Sequence, residues 1–158
     1  MSYDEQAVIE RYFRHLGAVR TDVVLGIGDD AALLRAQPGH ELVQTTDALV
    51  EGIHFLPGSP PRSLGHRALA VNLSDLAAMG ATPAWALLSL TTPEIDESWL
   101  GDFSVGFGLL ARTHGEAVAR EMLEDLSVLF TDLLPRGLRS RPSPLRTGYR
   151  ASRPGSDE

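Results

Sequence analysis

LGHRALAVNLSDLAAM, residues 64–79, carries the strongest fold signal in the chain. From Ala68 onward it is apolar almost all round, as a helix packed inside a protein is. Pro61 or Ser63 can start it, Gly80 can end it in a left-handed turn, and Pro83 keeps it ended. Two polar residues interrupt the apolar run. Asn72 and Asp75 stand three apart and so share a helical face. An ionised carboxylate in an apolar setting is costly unless it is paired or bound to a cation. No arginine follows Arg67 on the matching face. Asp75 is thus either a ligand or an acceptor of backbone N–H groups near the surface, and alone the two readings weigh equally.

Outward from this helix the pattern is mixed. Residues 5–16 (EQAVIERYFRHL) place Val8, Ile9, Tyr12, Phe13 and Leu16 at helical spacing, with Asp4 as N-cap and Gly17 as stop. A short apolar run, 23–25, leads into Gly26-Ile27-Gly28-Asp29-Asp30. Residues 31–34 and 41–46 read as strands separated by the turn Gln37-Pro38-Gly39. Residues 47–55 continue as strand or loop, and 57–61 (PGSPP) are a loop. Residues 85–91 form an apolar strand. Asp96 or Glu97 then opens a helix to about His114, with Trp99, Phe103, Phe107, Leu110 and Ala111 on one stripe. The order implies an α+β fold, a mostly antiparallel sheet with helices on one face. Residues 116–134 admit an amphipathic helix through Val118, Met122, Leu126, Leu129, Phe130 and Leu133. From 135 the chain is rich in Arg, Pro and Ser and reads as a disordered tail. The expected organisation is a domain over 1–115, a separate segment over 116–134, and the tail 135–158.

Composition narrows the chemistry. The chain has 158 residues, 43% of them apolar, which suits one globular domain. There is no cysteine, so thiolate metal sites are excluded and any metal is a hard cation on oxygen ligands or a histidine site. The net charge of −7 argues against a nucleic-acid surface but allows a nucleotide held through a bridging cation. All 14 basic residues are arginine, so a phosphate loop that relies on lysine is ruled out. No apolar run reaches the ~20 residues of a membrane span, and the N-terminus lacks an export signal. The expected location is the cytoplasm, with no membrane or nucleic-acid partner.

Further carboxylates come from other element ends. Gly26-Ile27-Gly28-Asp29-Asp30-Ala31 superficially matches a dinucleotide loop, but two aspartates would repel a pyrophosphate. Alone it reads as a surface turn, and in strand geometry only one of Asp29 and Asp30 points into a site. Gln44-Thr45-Thr46-Asp47 ends a strand. Thr45 and Asp47 share a face, Thr46 can offer its carbonyl or hydroxyl, and an Asx turn is the ordinary alternative. Three element ends each delivering an aspartate suit magnesium, which prefers octahedral oxygen ligation completed by water and phosphate. His54, in Glu51-Gly52-Ile53-His54-Phe55, is a weaker signal, since a lone histidine among apolar residues is more often structural.

Together these segments resemble the N-terminal domain of the thiamine-monophosphate kinase family, within the superfamily of aminoimidazole ribonucleotide synthetase and selenophosphate synthetase. The resemblance rests on residues 26–31, Thr45-Thr46-Asp47, residues 50–55 and the run ALAVNLSDLAAMGA over 68–81, in order and spacing. It implies ATP-dependent, magnesium-assisted transfer of a phosphoryl group to thiamine phosphate, giving thiamine diphosphate, with ATP as co-substrate and no catalytic base. By position it implies Asp30, Thr45, Thr46, Asp47 and Asp75 as magnesium ligands and His54 as a contact to thiamine phosphate. It further implies a homodimer in which N-terminal sheets pack together. The family's Gly-Gly-Asp-Thr segment, which holds ATP and magnesium, has no counterpart after Gly115, so residues 116–158 read as an aberrant tail, expected from a shifted reading frame or a damaged gene copy. Three functions compete on this basis: the kinase, an inactive remnant that keeps the fold, the dimer contact and weak magnesium–nucleotide binding, and a superfamily member with a different small phosphate acceptor.

Overall fold

The computed structural model describes residues 5–28, 30–92, 96–115, 117–122 and 127–135, the last two segments as backbone alone. In chain order the elements are α1 (Glu5–Tyr12), β1 (Val23–Leu25), β2 (Leu33–Leu34), β3 (His40–Ala48), α2 (Pro61–Ala78), β4 (Thr82–Ser89), α3 (Glu97–Thr113), β5 (Ala117–Met122) and β6 (Ser127–Pro135). β1 and β2 pair antiparallel as a small ribbon, and a four-stranded sheet runs in the order β3-β6-β4-β5. β6 is antiparallel to both its neighbours, while β5 lies parallel to β4. With α2 against β3, β6 and β4, and α3 touching α2 and β5, the expected α+β class is the one observed.

Local chemistry explains where α2 and α3 begin and end. α2 opens on prolines, whose missing N–H groups would have no helical partner there anyway. It closes in a Schellman turn: Ala81 N donates to Leu76 O, Gly80 N donates to Ala77 O, and Gly80 takes φ 69°. Asp96 caps α3, its carboxylate accepting from the amides of Ser98 and Trp99 at 2.8 and 3.1 Å. The two helices cross with their backbones almost in contact. A Cβ on Gly65 would lie 2.1 Å from the Phe103 carbonyl oxygen, and one on Gly106 would lie 1.9 Å from that of Arg62. No side chain fits at either point.

The main core forms around this crossing. Leu64, Ala68, Leu69 and Leu76 of α2 bury with Leu100, Phe103, Phe107 and Ala111 of α3, with Ala86 and Leu88 of β4, and with Val8 and Phe13. Trp99, Phe103 and Phe107 stack along α3 with centroids 5.0 and 6.3 Å apart. Successive strand residues face opposite ways, and Trp85 accordingly packs in a second cluster with Val23, Ala32 and Leu34.

Two expectations are corrected. α1 stops at Tyr12 rather than Leu16, with Arg14 N reaching back to Ile9 O before the turn into Gly17. Residues 116–134 admit a helix by spacing; the described parts are strands β5 and β6. The apolar spacing there fits a helical face, but SVLFTDLL is also rich in β-formers. Between β3 and β4, β6 satisfies the hydrogen-bonding edges of both strands, a gain that an isolated helix cannot match. Sheet formation thus draws on residues beyond 115. Residues 136–158, expected to be disordered, and Asp4 and Asp29 lie outside the described residues.

Candidate functional site

β3 and α2 bring two of the expected residues together. Thr45 Oγ1, half-buried on β3, donates to Asp75 Oδ2 on α2 at 3.1 Å. Asp47 follows two residues along the strand, on the same face by alternation, and is exposed. Thr46 points to the other face of β3 and is also exposed. Asp75 itself is exposed, so the argument from a buried carboxylate does not hold for it. The buried polar group of α2 is Asn72, with no exposed surface. Its Nδ2 donates to Ala68 O at 3.0 Å, and its Oδ1 has no partner among the described residues.

The donor chemistry can be tested against magnesium. Adjacent ligands of an octahedral ion with 2.0–2.1 Å bonds lie about 2.9 Å apart. The separation of Thr45 Oγ1 and Asp75 Oδ2 is close to that edge, so the pair can bind one ion side by side once the hydroxyl gives up its hydrogen bond. The wider expectation of three converging aspartates is not met. Among the described residues no three histidine, aspartate or glutamate side chains lie close enough to share an ion. Asp30, exposed after the Gly26–Gly28 turn, forms no such group with Asp47 and Asp75. The described oxygen set is therefore partial.

His54 sits in a closed turn after β3. Val50 O accepts from Ile53 N at 3.2 Å and His54 N at 2.8 Å, Gly52 N donates to Phe55 O at 2.8 Å, and Gly52 adopts φ 77°. The Val50 amide also donates to His54 Nδ1 at 3.0 Å. The ring is exposed.

A third polar group escaped the sequence reading. Arg20 Nη2 and Nε bond Asp22 at 2.6 and 2.9 Å, Arg20 Nη1 donates to Gly115 O at 3.2 Å, and Trp85 Nε1 donates to Asp22 Oδ1 at 3.2 Å. The Arg20 hydrogen bond holds the Asp22 carboxyl below its ordinary range, the Trp85 bond adds to this, and burial opposes both. The two-residue spacing of Arg20 and Asp22 is the one local signal that could have found the pair. Nothing in the sequence joined Asp22 to Trp85.

Comparison with known proteins agrees with this architecture. Residues 28–120 match the family described as AIR synthase related protein, N-terminal domain. The chain is 55% identical over 104 residues to the thiamine-monophosphate kinase of Escherichia coli strain K12, covering 66% of this chain and 32% of that protein. Among solved structures, thiamine-monophosphate kinase from Stenotrophomonas maltophilia K279a superposes with a TM-score of 0.68 at 45% identity, covering 75% of this chain and 39% of that one. AaThiL complexed with AMPPCP and TMP gives a TM-score of 0.58 at 30% identity, over 63% of this chain and 34% of that one. The chain thus spans about a third of the length of the curated relatives it matches. With the family match running over more than half of its residues, on a fold of the same kind, the chain belongs to the AIR synthase related proteins through their N-terminal domain.

Proposed function

We propose that this chain is the front part of a thiamine-phosphate kinase, which transfers the terminal phosphoryl group of ATP to thiamine phosphate with magnesium as the charge carrier. The observation that carries the reading is the Thr45–Asp75 pair, formed between two motifs of a chain 55% identical to a thiamine-monophosphate kinase. A relative solved with AMPPCP and TMP supports the choice of nucleotide and acceptor. Phosphoryl transfer depends mainly on positioning and charge neutralisation, so a chain without lysine can serve it through metal and needs no catalytic base. In this reading Asp75, Thr45 and Asp47 hold magnesium, Thr46 and Asp30 join when nucleotide phosphates and waters complete the shell, and His54 meets the acceptor phosphate.

The same reading makes the working unit a cytoplasmic homodimer joined through the sheet. Exposed Leu42 on β3, 50% accessible, gives such an interface apolar surface. Among the described residues no helix is long and apolar enough to cross a membrane.

The test is ADP release in a coupled assay with magnesium, comparing thiamine phosphate with other small phosphate monoesters. Release that depends on thiamine phosphate supports the assignment. Release driven equally by another acceptor would transfer the chain to a different branch of the superfamily.

A further inference from the structure

We infer that the turn at Val50–Phe55 fixes the tautomer of His54, so that the ring meets an anionic oxygen of a phosphate monoester as a neutral Nε2–H donor. Gly52 and the Val50 amide are the positioning groups. The inference rests on the reading of His54 as an acceptor-phosphate contact, and it specifies how that contact is made.

The Val50 backbone N–H only donates, so His54 Nδ1, at 3.0 Å, must present its lone pair. A histidinium ring, protonated at both nitrogens, cannot accept this bond. A neutral ring that accepts at Nδ1 carries its proton at Nε2. Nε2 has no hydrogen-bond partner among the described residues, and the ring is exposed. Its outer edge is therefore a donor, matched to acceptor oxygens such as those of phosphate. General-base work at Nε2 would need the opposite tautomer and the loss of the Val50 bond.

The turn is built to keep this arrangement. Val50 holds His54 twice, its carbonyl accepting from the His54 amide at 2.8 Å and its own amide donating to the ring. Gly52 closes the loop through Phe55 O and lies in the left-handed region at φ 77°. A Cβ there would meet nothing within 4 Å, so an L-residue at this position is opposed by backbone conformation and not by space. Asparagine tolerates that region better than alanine.

The test is long-range 1H–15N NMR on the 15N-labelled chain, with His54 assigned against His54→Gln. The ring is expected to be protonated at Nε2, and that resonance to move on titration with thiamine phosphate in the presence of magnesium. Gly52→Ala is expected to mix the tautomers and weaken thiamine phosphate binding, and Gly52→Asn to restore both. His54→Asn, whose amide reaches only the Nδ1 position, is expected to lose binding roughly ten- to hundredfold, and His54→Gln to lose less. A proton on Nδ1 overturns the inference, and so does an Nε2–H resonance that neither thiamine phosphate nor inorganic phosphate moves. A response to inorganic phosphate alone keeps the donor assignment and contradicts the kinase reading instead.

Discussion

Trp85 Nε1 donates to Asp22 Oδ1 at 3.2 Å, joining residues 63 apart and tying β4 to the chain just before β1. Because Arg20 grips the same carboxylate, the folded-state pKa of Asp22 lies below its unfolded value. A depressed carboxyl stabilises the fold above the unfolded pKa, near 3.9, and that stability is lost as pH falls through the folded value. Asp22→Asn is expected to lower stability at pH 7 by about 1–3 kcal/mol and to differ little from the parent chain at the acid end. Urea midpoints at pH 7 and pH 3 check this, and an equal loss at both pH values would contradict it.

The α2–α3 crossing makes a second prediction. Gly65→Ala and Gly106→Ala each place a methyl inside a backbone carbonyl contact. Either substitution forces the helices apart and is expected to cost about 1–3 kcal/mol or more. Thermal melts measure it. Gly39, where an added Cβ meets nothing, is the control site at φ 83° and reports conformational strain without a clash.

Asn72 gives a third. Its buried Oδ1 has no described partner, a loss of about 1–3 kcal/mol when an acceptor is left unsatisfied. Asn72→Leu keeps the approximate volume and removes that acceptor, so stability is expected to hold or rise. Asn72→Asp buries a carboxylate one turn from Asp75 and is expected to destabilise strongly at pH 7. Chemical denaturation of both variants checks the pair, and a strongly destabilised Asn72→Leu would show that the oxygen is satisfied.

Surface ion pairs are expected to matter little. Arg11 and Glu97 meet at 3.0 Å with side chains 65% and 50% exposed. Arg11→Ala is expected to shift stability by less than about 1 kcal/mol, since side-chain entropy and salt screening offset such pairs.

Where one local rule governed a segment, the sequence was readable. Asp96 before an apolar stripe marked the start of α3, and Gly80 marked the end of α2, because caps are set by residues within a few positions. Thr45 and Asp75 stood together only in the ligand set implied by the family resemblance, since neither side chain alone exceeded an ordinary surface reading; their hydrogen bond came from the structure. β6 was not legible: its helical spacing is a local property, whereas its place between β3 and β4 depends on partners about 40 to 95 residues away. Asn72 and Asp75 share a face by spacing, yet Asn72 is buried and Asp75 exposed, since residues three apart on a helix still differ by about 60° around its axis. That angle decides which of them meets the core. Asp22 escaped because its second partner, Trp85, lies far along the chain.

In the proposed function, oxygens from β3 and α2 hold a divalent ion against nucleotide phosphates. Calorimetric titration of ATP with and without magnesium, on the parent chain and on Asp75→Ala and Asp47→Ala, tests it most directly. Magnesium-dependent binding is expected, weakened by each substitution at least about tenfold, the equivalent of 1.4 kcal/mol. Affinity unchanged in both variants would contradict it.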